Sequence, residues 1–197
     1  MFLNAPPDSD ATADFYRAIR EDEGFVMNYG RLWAWRPETC NAFSALRSQL
    51  MANSSLSPRE CAALISATAA SVGDSHCSLA WGTKLAATAD PSTAAAVLRG
   101  SGDGVLGPRE KALVNWARKV ASDPNASVAD DVDALRAVGL SEQEIFDATA
   151  LIAFRIAFTT VNDALGARPD WQLAEAAPPA VREAVTYGRK VSERSDA

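Results

Sequence analysis

An all-helical fold is what the sequence predicts, on three observations. No stretch alternates apolar and polar residues with period two between hairpin turn pairs, so strands leave no signal. Ala, Leu, Arg and Glu, all strong helix formers, fill the interior of most segments. Helix starts are written out at Leu56-Ser57-Pro58-Arg59-Glu60, Leu106-Gly107-Pro108-Arg109-Glu110 and Leu140-Ser141-Glu142-Gln143-Glu144. In the first and third, a serine oxygen caps the amide three residues on while the glutamate reaches back to the serine amide. In the first two, proline takes the first helical position, where its missing N–H costs nothing.

The elements follow in order. Residues 1–9 form a Pro-containing lead, expected to lie loose or extended on the surface. A first helix spans about Thr12 to Glu21 and turns Phe15 and Ile19 inward. An aromatic stretch from Phe25 to Trp35 ends at Arg36-Pro37, and Pro37 opens a helix expected to bury Phe43, Leu46 and Leu50. The helix after Ser57 carries Cys61, Leu64, Ile65, Thr68, Ala69 and Val72 at helical spacing and stops near Gly73. Another starts at Asp74 or Ser75 and continues past Leu85, and a short one follows Asp90-Pro91. The glycine-rich run Gly100–Gly104 has neither a Walker lysine nor a preceding strand, so it reads as a connection. Beyond it come the helix after Gly107, a short one over Val128 to Val138, and the longest apolar helix, from Ser141 to Leu165. Residues 178–197 form a last amphipathic helix and a charged tail. A helix apolar on most of its circumference must be buried, in the bundle centre or between subunits, so the Ser141 helix points to a homo-oligomer.

Composition narrows the function. The 197 residues, 48% hydrophobic and 22% charged, suit one globular domain spanning 1–197. Asp plus Glu exceed Lys plus Arg by 25 to 19, a net charge of −6 that speaks against a nucleic-acid partner. No apolar run approaches the ~20 residues a bilayer demands, and the start has no basic n-region, so no membrane is expected and the expected location is cytoplasmic. Three scattered cysteines, Cys40, Cys61 and Cys77, make no disulfide framework. His76 is the sole histidine, which excludes metal motifs built on two imidazoles, and no metal or cofactor is expected.

Reactive residue types converge once, at Asp74-Ser75-His76-Cys77. A thiol in the first turn of a helix faces the positive end of the macrodipole, which favours thiolate; the carboxylate of Asp74 opposes it. His76 stands about 100° from Cys77 around the helix, so the two side chains do not automatically meet. Asp74 reads as an N-cap or as an acid/base group. Trp81 reads as a wall for an organic substrate or as core. Arg155, a charge inside the apolar helix, needs an anionic partner, either a carboxylate of another subunit or a substrate anion.

Taken together, the Ser57-Pro58-Arg59-Glu60 start, the alanine-rich helix, Gly73-Asp74-Ser75-His76-Cys77, the Leu106 to Lys119 segment, Gly139 to Ile145 and Asn162-Asp163-Ala164-Leu165-Gly166 resemble the carboxymuconolactone decarboxylase and AhpD-like alkylhydroperoxidase superfamily. The resemblance covers roughly residues 25–170 and is similar to the peroxidase-related branch. It implies an all-α AhpD-like bundle, assembled as a dimer, trimer or hexamer. The redox motif of that superfamily is Cys-x-x-Cys-x-x-x-His with a glutamate one helix earlier. Carried over, its second cysteine falls on Cys77, its first on Asp74, its histidine on Trp81 and its glutamate on Ala62. The family disulfide therefore has no partner for Cys77 in the motif. What the resemblance then implies is a one-cysteine peroxidase: Cys77 reduces a hydroperoxide through a sulfenic acid and an external thiol restores it. Two other functions stand beside it. One is a lyase, decarboxylase or hydrolase acting on a small organic acid with Asp74 and His76 as proton carriers. The other is a catalytically silent oligomeric binding protein. The expected site is Cys77, His76 and Asp74 for chemistry, with Trp81 and Arg155 for substrate.

Overall fold

The computed structural model describes residues 1–101 and 105–194. Gly102-Asp103-Gly104, the centre of the glycine-rich connection, and the last three residues of the tail lie outside the described residues. The helices are α1 (Asp10–Glu23), α2 (Asn28–Trp33), α3 (Pro37–Ala52), α4 (Pro58–Val72), α5 (Ser75–Thr88), α6 (Pro91–Leu98), α7 (Pro108–Ser122), α8 (Ala129–Ala137), α9 (Glu142–Ala164), α10 (Trp171–Ala176) and α11 (Pro179–Ala184). No strand occurs among the described residues.

Caps account for most of these bounds. Ser57 Oγ accepts the Glu60 amide at 3.2 Å while Glu60 Oε2 accepts the Ser57 amide at 2.8 Å. Ser141 and Glu144 make the same reciprocal pair. Gly107 has no side chain to offer, so only the return half forms, with Glu110 Oε2 accepting the Gly107 amide at 3.0 Å. Between α4 and α5 the chain reverses within two residues. Gly73 takes φ +75°, a left-handed conformation natural to glycine, and Asp74 caps the next helix through the Cys77 amide.

α4 is the centre of the molecule. Every residue from Glu60 to Ala69 is buried, and α5, α6, α7 and α9 pack around it. The long apolar helix α9 is a wall of the bundle instead. It turns Leu151, Ile152, Arg155, Phe158 and Thr159 inward and leaves Phe146 69% exposed, with Ala153 and Ala157 also on the surface. Leu46 of α3, expected in the core, is 48% exposed, because that helix buries little more than Cys40 fully. The N-terminal lead is extended, as expected, but tied: the Phe2 amide donates to Leu165 O and Trp35 Nε1 donates to Asn4 O. The C-terminal helix is short. After Ala184 the chain leaves the helix and bends at Tyr187, Gly188 and Arg189 over the start of α5, where Tyr187 Oη and Ser78 Oγ lie 3.0 Å apart and Ser75 Oγ donates to Arg189 O at 2.8 Å. Gly188 comes so close to Gly73 that a Cβ would sit 2.4 Å from Gly73 O.

At the far end of α4, the starts of α4, α7 and α9 are bolted together by exchanged arginines. Arg59 of α4 pairs with Glu110 of α7, while Arg109 of α7 returns to Glu60 of α4 at 2.5 Å and also reaches Glu144 of α9 and Gly139 O. All three acceptor glutamates are capping residues, so each carboxylate serves its own helix and a neighbour. The Ser141 amide, above all, with Ser55 and Arg109, holds the Glu144 carboxyl down at about 2 against the push of burial.

Truncating Arg109 strands two largely buried carboxylates. We expect Arg109→Ala to lower the urea unfolding free energy by about 2 kcal/mol. Because the folded pKa of Glu144 lies below its unfolded value, its contribution is complete above about pH 4.5 and lost as pH falls toward 2. The urea midpoint of the wild-type chain should therefore drop through that window, and Glu144→Gln should flatten the drop. An unchanged acid limb in Glu144→Gln would show that the carboxyl is not held down.

Candidate active site

Asp74 organises the reactive corner. Its Oδ1 accepts the Cys77 amide at 2.9 Å and its Oδ2 accepts the Thr159 hydroxyl of α9 at 2.5 Å. The negative charge of the same carboxylate lies close enough to the Cys77 thiol to oppose its ionisation. On the other side of the sulfur, Arg155 Nη1 stands 3.6 Å from Sγ, and Thr159 Oγ1 stands 4.0 Å away. The thiol is thus held between a carboxylate that can take its proton and a guanidinium that can stabilise the resulting anion. Cys77 is 1% exposed. Burial first, and the Asp74 charge second, push its pKa up to about 12, with Arg155 opposing. The macrodipole of α5 does not prevail, and the resting group is a thiol.

Arg155 is 4% exposed and spans the site. Its guanidinium carbon lies 5.2 Å from the Trp81 ring and 5.7 Å from the Phe158 ring, within cation–π range of both. Nη1 meets Cys77, but Nε and Nη2 are buried without a hydrogen-bond partner. Arg47, half-buried on α3, follows by one turn Phe43, whose ring packs on Phe154 and Phe158 of α9, and so shares the face of α3 turned to this site. Its pKa is lowered by burial and then by the charge of Arg155. Beyond the guanidinium runs a stack of rings: Phe158 lies parallel to Trp33 (5.8 Å) and Phe43 (6.3 Å), with Tyr29 edge-on to it and Phe154 edge-on to Phe43. Trp33 is pinned by its Nε1, which donates to Asn162 Oδ1 at 2.8 Å.

The structure brings Asp74, Cys77, Trp81 and Arg155 together. His76 makes its contacts elsewhere. Its ring sits edge-on to Tyr29, and its Nδ1 is 3.9 Å from Asp170 Oδ2. Burial lowers the imidazole pKa and raises that of Asp170 to about 6, so neither charge is well supported there. Glu60 is a cap and an Arg109 partner, far down α4 from the thiol. Cys40 and Cys61 pack in two other apolar clusters, and burial raises both thiols to about 11. Sequence reasoning missed Thr159 and Arg47. Thr159 follows Arg155 by four residues and so shares its face of α9, a signal that spacing carries. Arg47 left none, because nothing in α3 says which helix it faces.

No group of His, Cys, Asp and Glu that could hold a metal ion occurs among the described residues. No helix among them is long and apolar enough to cross a membrane. A cavity of about 480 Å³ lies between α7 and α8, lined by Lys111, Trp116, Lys119 and Leu135, away from the thiol.

No protein-family model matches the sequence, and no curated protein matches it either. Solved structures do. An uncharacterized peroxidase-related protein from Ralstonia eutropha JMP134, described as an alkylhydroperoxidase AhpD core, superposes with a TM-score of 0.76 at 24% identity, over 87% of this chain and 93% of that one. An uncharacterized peroxidase-related protein from Silicibacter sp. TM1040 gives 0.78 at 22% identity, over the same 87% and 93%. A cysteine-to-alanine variant of the debrominase Bmp8, in complex with 2,3,4-tribromopyrrole, gives 0.70 at 17% identity, over 94% of this chain and 97% of that one. The chain has the AhpD-like all-α fold expected from its motifs.

The geometry fixes how the thiol should titrate. With Cys40 and Cys61 replaced by serine, the rate of Cys77 alkylation by iodoacetamide should keep rising through pH 10 without a plateau. Asp74→Asn should bring the plateau down in pH, since it removes a negative charge. Arg155→Gln should push it further up. A plateau near the ordinary thiol value of about 8.5 in the parent would contradict the arrangement.

Proposed function

We propose that this chain belongs to the AhpD-like and carboxymuconolactone decarboxylase superfamily and works as a single-thiol oxidoreductase of its peroxidase-related kind. The observation that carries the reading is the thiol of Cys77 set between Asp74 and Arg155, with the other two cysteines in separate clusters. A hydroperoxide enters beside Cys77. As the sulfur attacks the terminal oxygen of the O–O bond, its proton passes to Asp74 and Arg155 stabilises the charge growing on sulfur. The O–O bond breaks, the Asp74 proton goes to the leaving alkoxide, and the products are Cys77 sulfenic acid and an alcohol. One external thiol then displaces water to give a mixed disulfide. A second releases Cys77 as the thiol and departs as the external disulfide.

Desolvation makes the thiol a poor nucleophile at rest and makes the Arg155 contact strong once charge develops, which is how preorganised electrostatics acts on a transition state. In this reading His76 orients Tyr29 and the Asp170 segment and does not move protons for the thiol.

The ring stack favours one second reading, reductive removal of a halogen from an aromatic ring by the same thiol. The debrominase neighbour supports it, as does a wall of Trp81, Phe158 and Phe43 suited to a flat substrate. Thiol-dependent bromide release from 2,3,4-tribromopyrrole, in the absence of peroxide, distinguishes the two.

The decisive assay is turnover of cumene hydroperoxide with dithiothreitol. Cys77→Ser should abolish it, while Cys40→Ser and Cys61→Ser leave it within about twofold. Asp74→Asn should slow it by about 10²-fold, the usual scale for losing a positioned base. Sulfenic-acid trapping after one equivalent of peroxide should label Cys77 alone. Full activity in Cys77→Ser would falsify the reading, and absence of both turnover and trapping would leave the silent binding protein in its place.

A further inference from the structure

Arg155 stands at Cys77 beside a carboxylate, Asp74, that is already committed. Asp74 gives one oxygen to the Cys77 amide and the other to Thr159. Neither Arg155 nor Arg47 forms an ion pair with a carboxylate among the described residues, and Nε and Nη2 of Arg155 are buried with no acceptor at all. A buried guanidinium left with two empty donors is costly unless an anion fills them. These two donors leave the planar group as a fork, the arrangement that matches the two oxygens of a carboxylate. The surrounding walls are aromatic. Trp81 and Phe158 lie over the guanidinium, and Phe43, Trp33 and Phe154 continue the stack outward. Arg47, Trp81, Phe43 and Phe154 are all partly exposed, so the outer wall of this corner is made of side chains that reach solvent.

We propose that Arg155 and Arg47 form the recognition site for the carboxylate of a flat, conjugated organic acid, the substrate class of the Cys77 site. The acid group takes the free edge of Arg155, Arg47 closes over it from α3, and the ring or conjugated chain lies in the aromatic stack. The group to be reduced is then presented to Cys77 Sγ, 3.6 Å from the same guanidinium. Recognition of this kind uses charge for orientation and ring burial for affinity, and it selects against neutral analogues of the same shape because they leave the donors empty. The assignment rests on the thiol reading above for the identity of the reacting group, though the anion site itself does not depend on it.

Binding of benzoate to the full chain, followed by calorimetry and by protection of Cys77 from alkylation, tests the proposal without any turnover. Benzoate should bind and slow alkylation, and benzamide, its neutral isostere, should do neither. Arg155→Gln and Arg47→Gln should each weaken benzoate by about tenfold or more, the loss expected for a charge-assisted contact. Arg155→Lys, which keeps the charge but loses the fork, covers the case in which Arg155→Gln fails to fold and should also weaken benzoate. Equal binding of benzoate and benzamide, or benzoate affinity unchanged in Arg47→Gln and Arg155→Lys, would overturn the assignment. So would displacement of benzoate by acetate at equal concentration, which would mean a simple anion site with no preference for a ring. Benzoate binding with protection, but no reduction of any hydroperoxide, leaves the anion site standing and removes the peroxidase function. Peroxide turnover at Cys77 without benzoate binding does the reverse.

Discussion

One buried carboxylate holds the reactive corner together. Asp74 closes the first turn of α5 through the Cys77 amide, ties α5 to α9 through Thr159, and sets a negative charge opposite Arg155. Each of these contacts would be unremarkable alone. Their coincidence on one side chain means that helix geometry, interhelix register and local charge balance cannot be altered separately. The positive end of α5 and a guanidinium would otherwise face each other across a thiol in a water-poor interior, where like charges repel strongly. An aspartate is short enough to do all three jobs from the N-cap position, which a glutamate's extra methylene would displace.

The two ends of α4 carry different kinds of polar chemistry. At its start, glutamates and arginines exchange partners between helix caps at a surface that water reaches, and every carboxylate there has several donors. At its finish, charges are buried and incompletely matched. A helix of fifteen residues separates them by about 22 Å. The first arrangement fixes the bundle, and that stability allows the second to remain unsatisfied. Polar groups held in tension inside a protein persist only where the surroundings over-determine their positions.

Much of this was written in the chain. Ser57, Asp74, Asp90 and Ser141 act as caps where they stand, Pro37, Pro58, Pro91 and Pro108 occupy first turns, and the interior helices end within a few residues of their expected bounds. Capping is a local contest between a side chain and amides two or three residues away, so local sequence decides it. Leu46 and Phe146 are exposed although their spacing looks like core, since apolarity says a residue favours burial and not that a partner is at hand. The candidate site divides the same way. Cys77 and Asp74 were legible as neighbours on one turn, and Trp81 followed one turn later. That Arg155 arrives at the sulfur from seventy-eight residues away, while adjacent His76 turns to Tyr29 and Asp170, depends on how α9 and α2 dock against α5. Spacing along one helix carries no record of that docking. The short helix α10 escaped notice for a related reason: its six residues are too few to show a period.

The contact at Gly188 has a consequence for the time order of folding. The segment that lies across the first turn of α5 is 114 residues downstream of Ser75, and its approach to Gly73 leaves no room for a side chain. A ribosome adding about 5–20 residues per second needs roughly six seconds or more to deliver it. During that interval α4 and α5 can already pack, yet the Ser75 and Ser78 side of the first turn of α5 stands open to water. The first turn of α5 is therefore completed late, by the arrival of Tyr187, Gly188 and Arg189, after α9 has already brought Arg155 and Thr159 to the Cys77 sulfur.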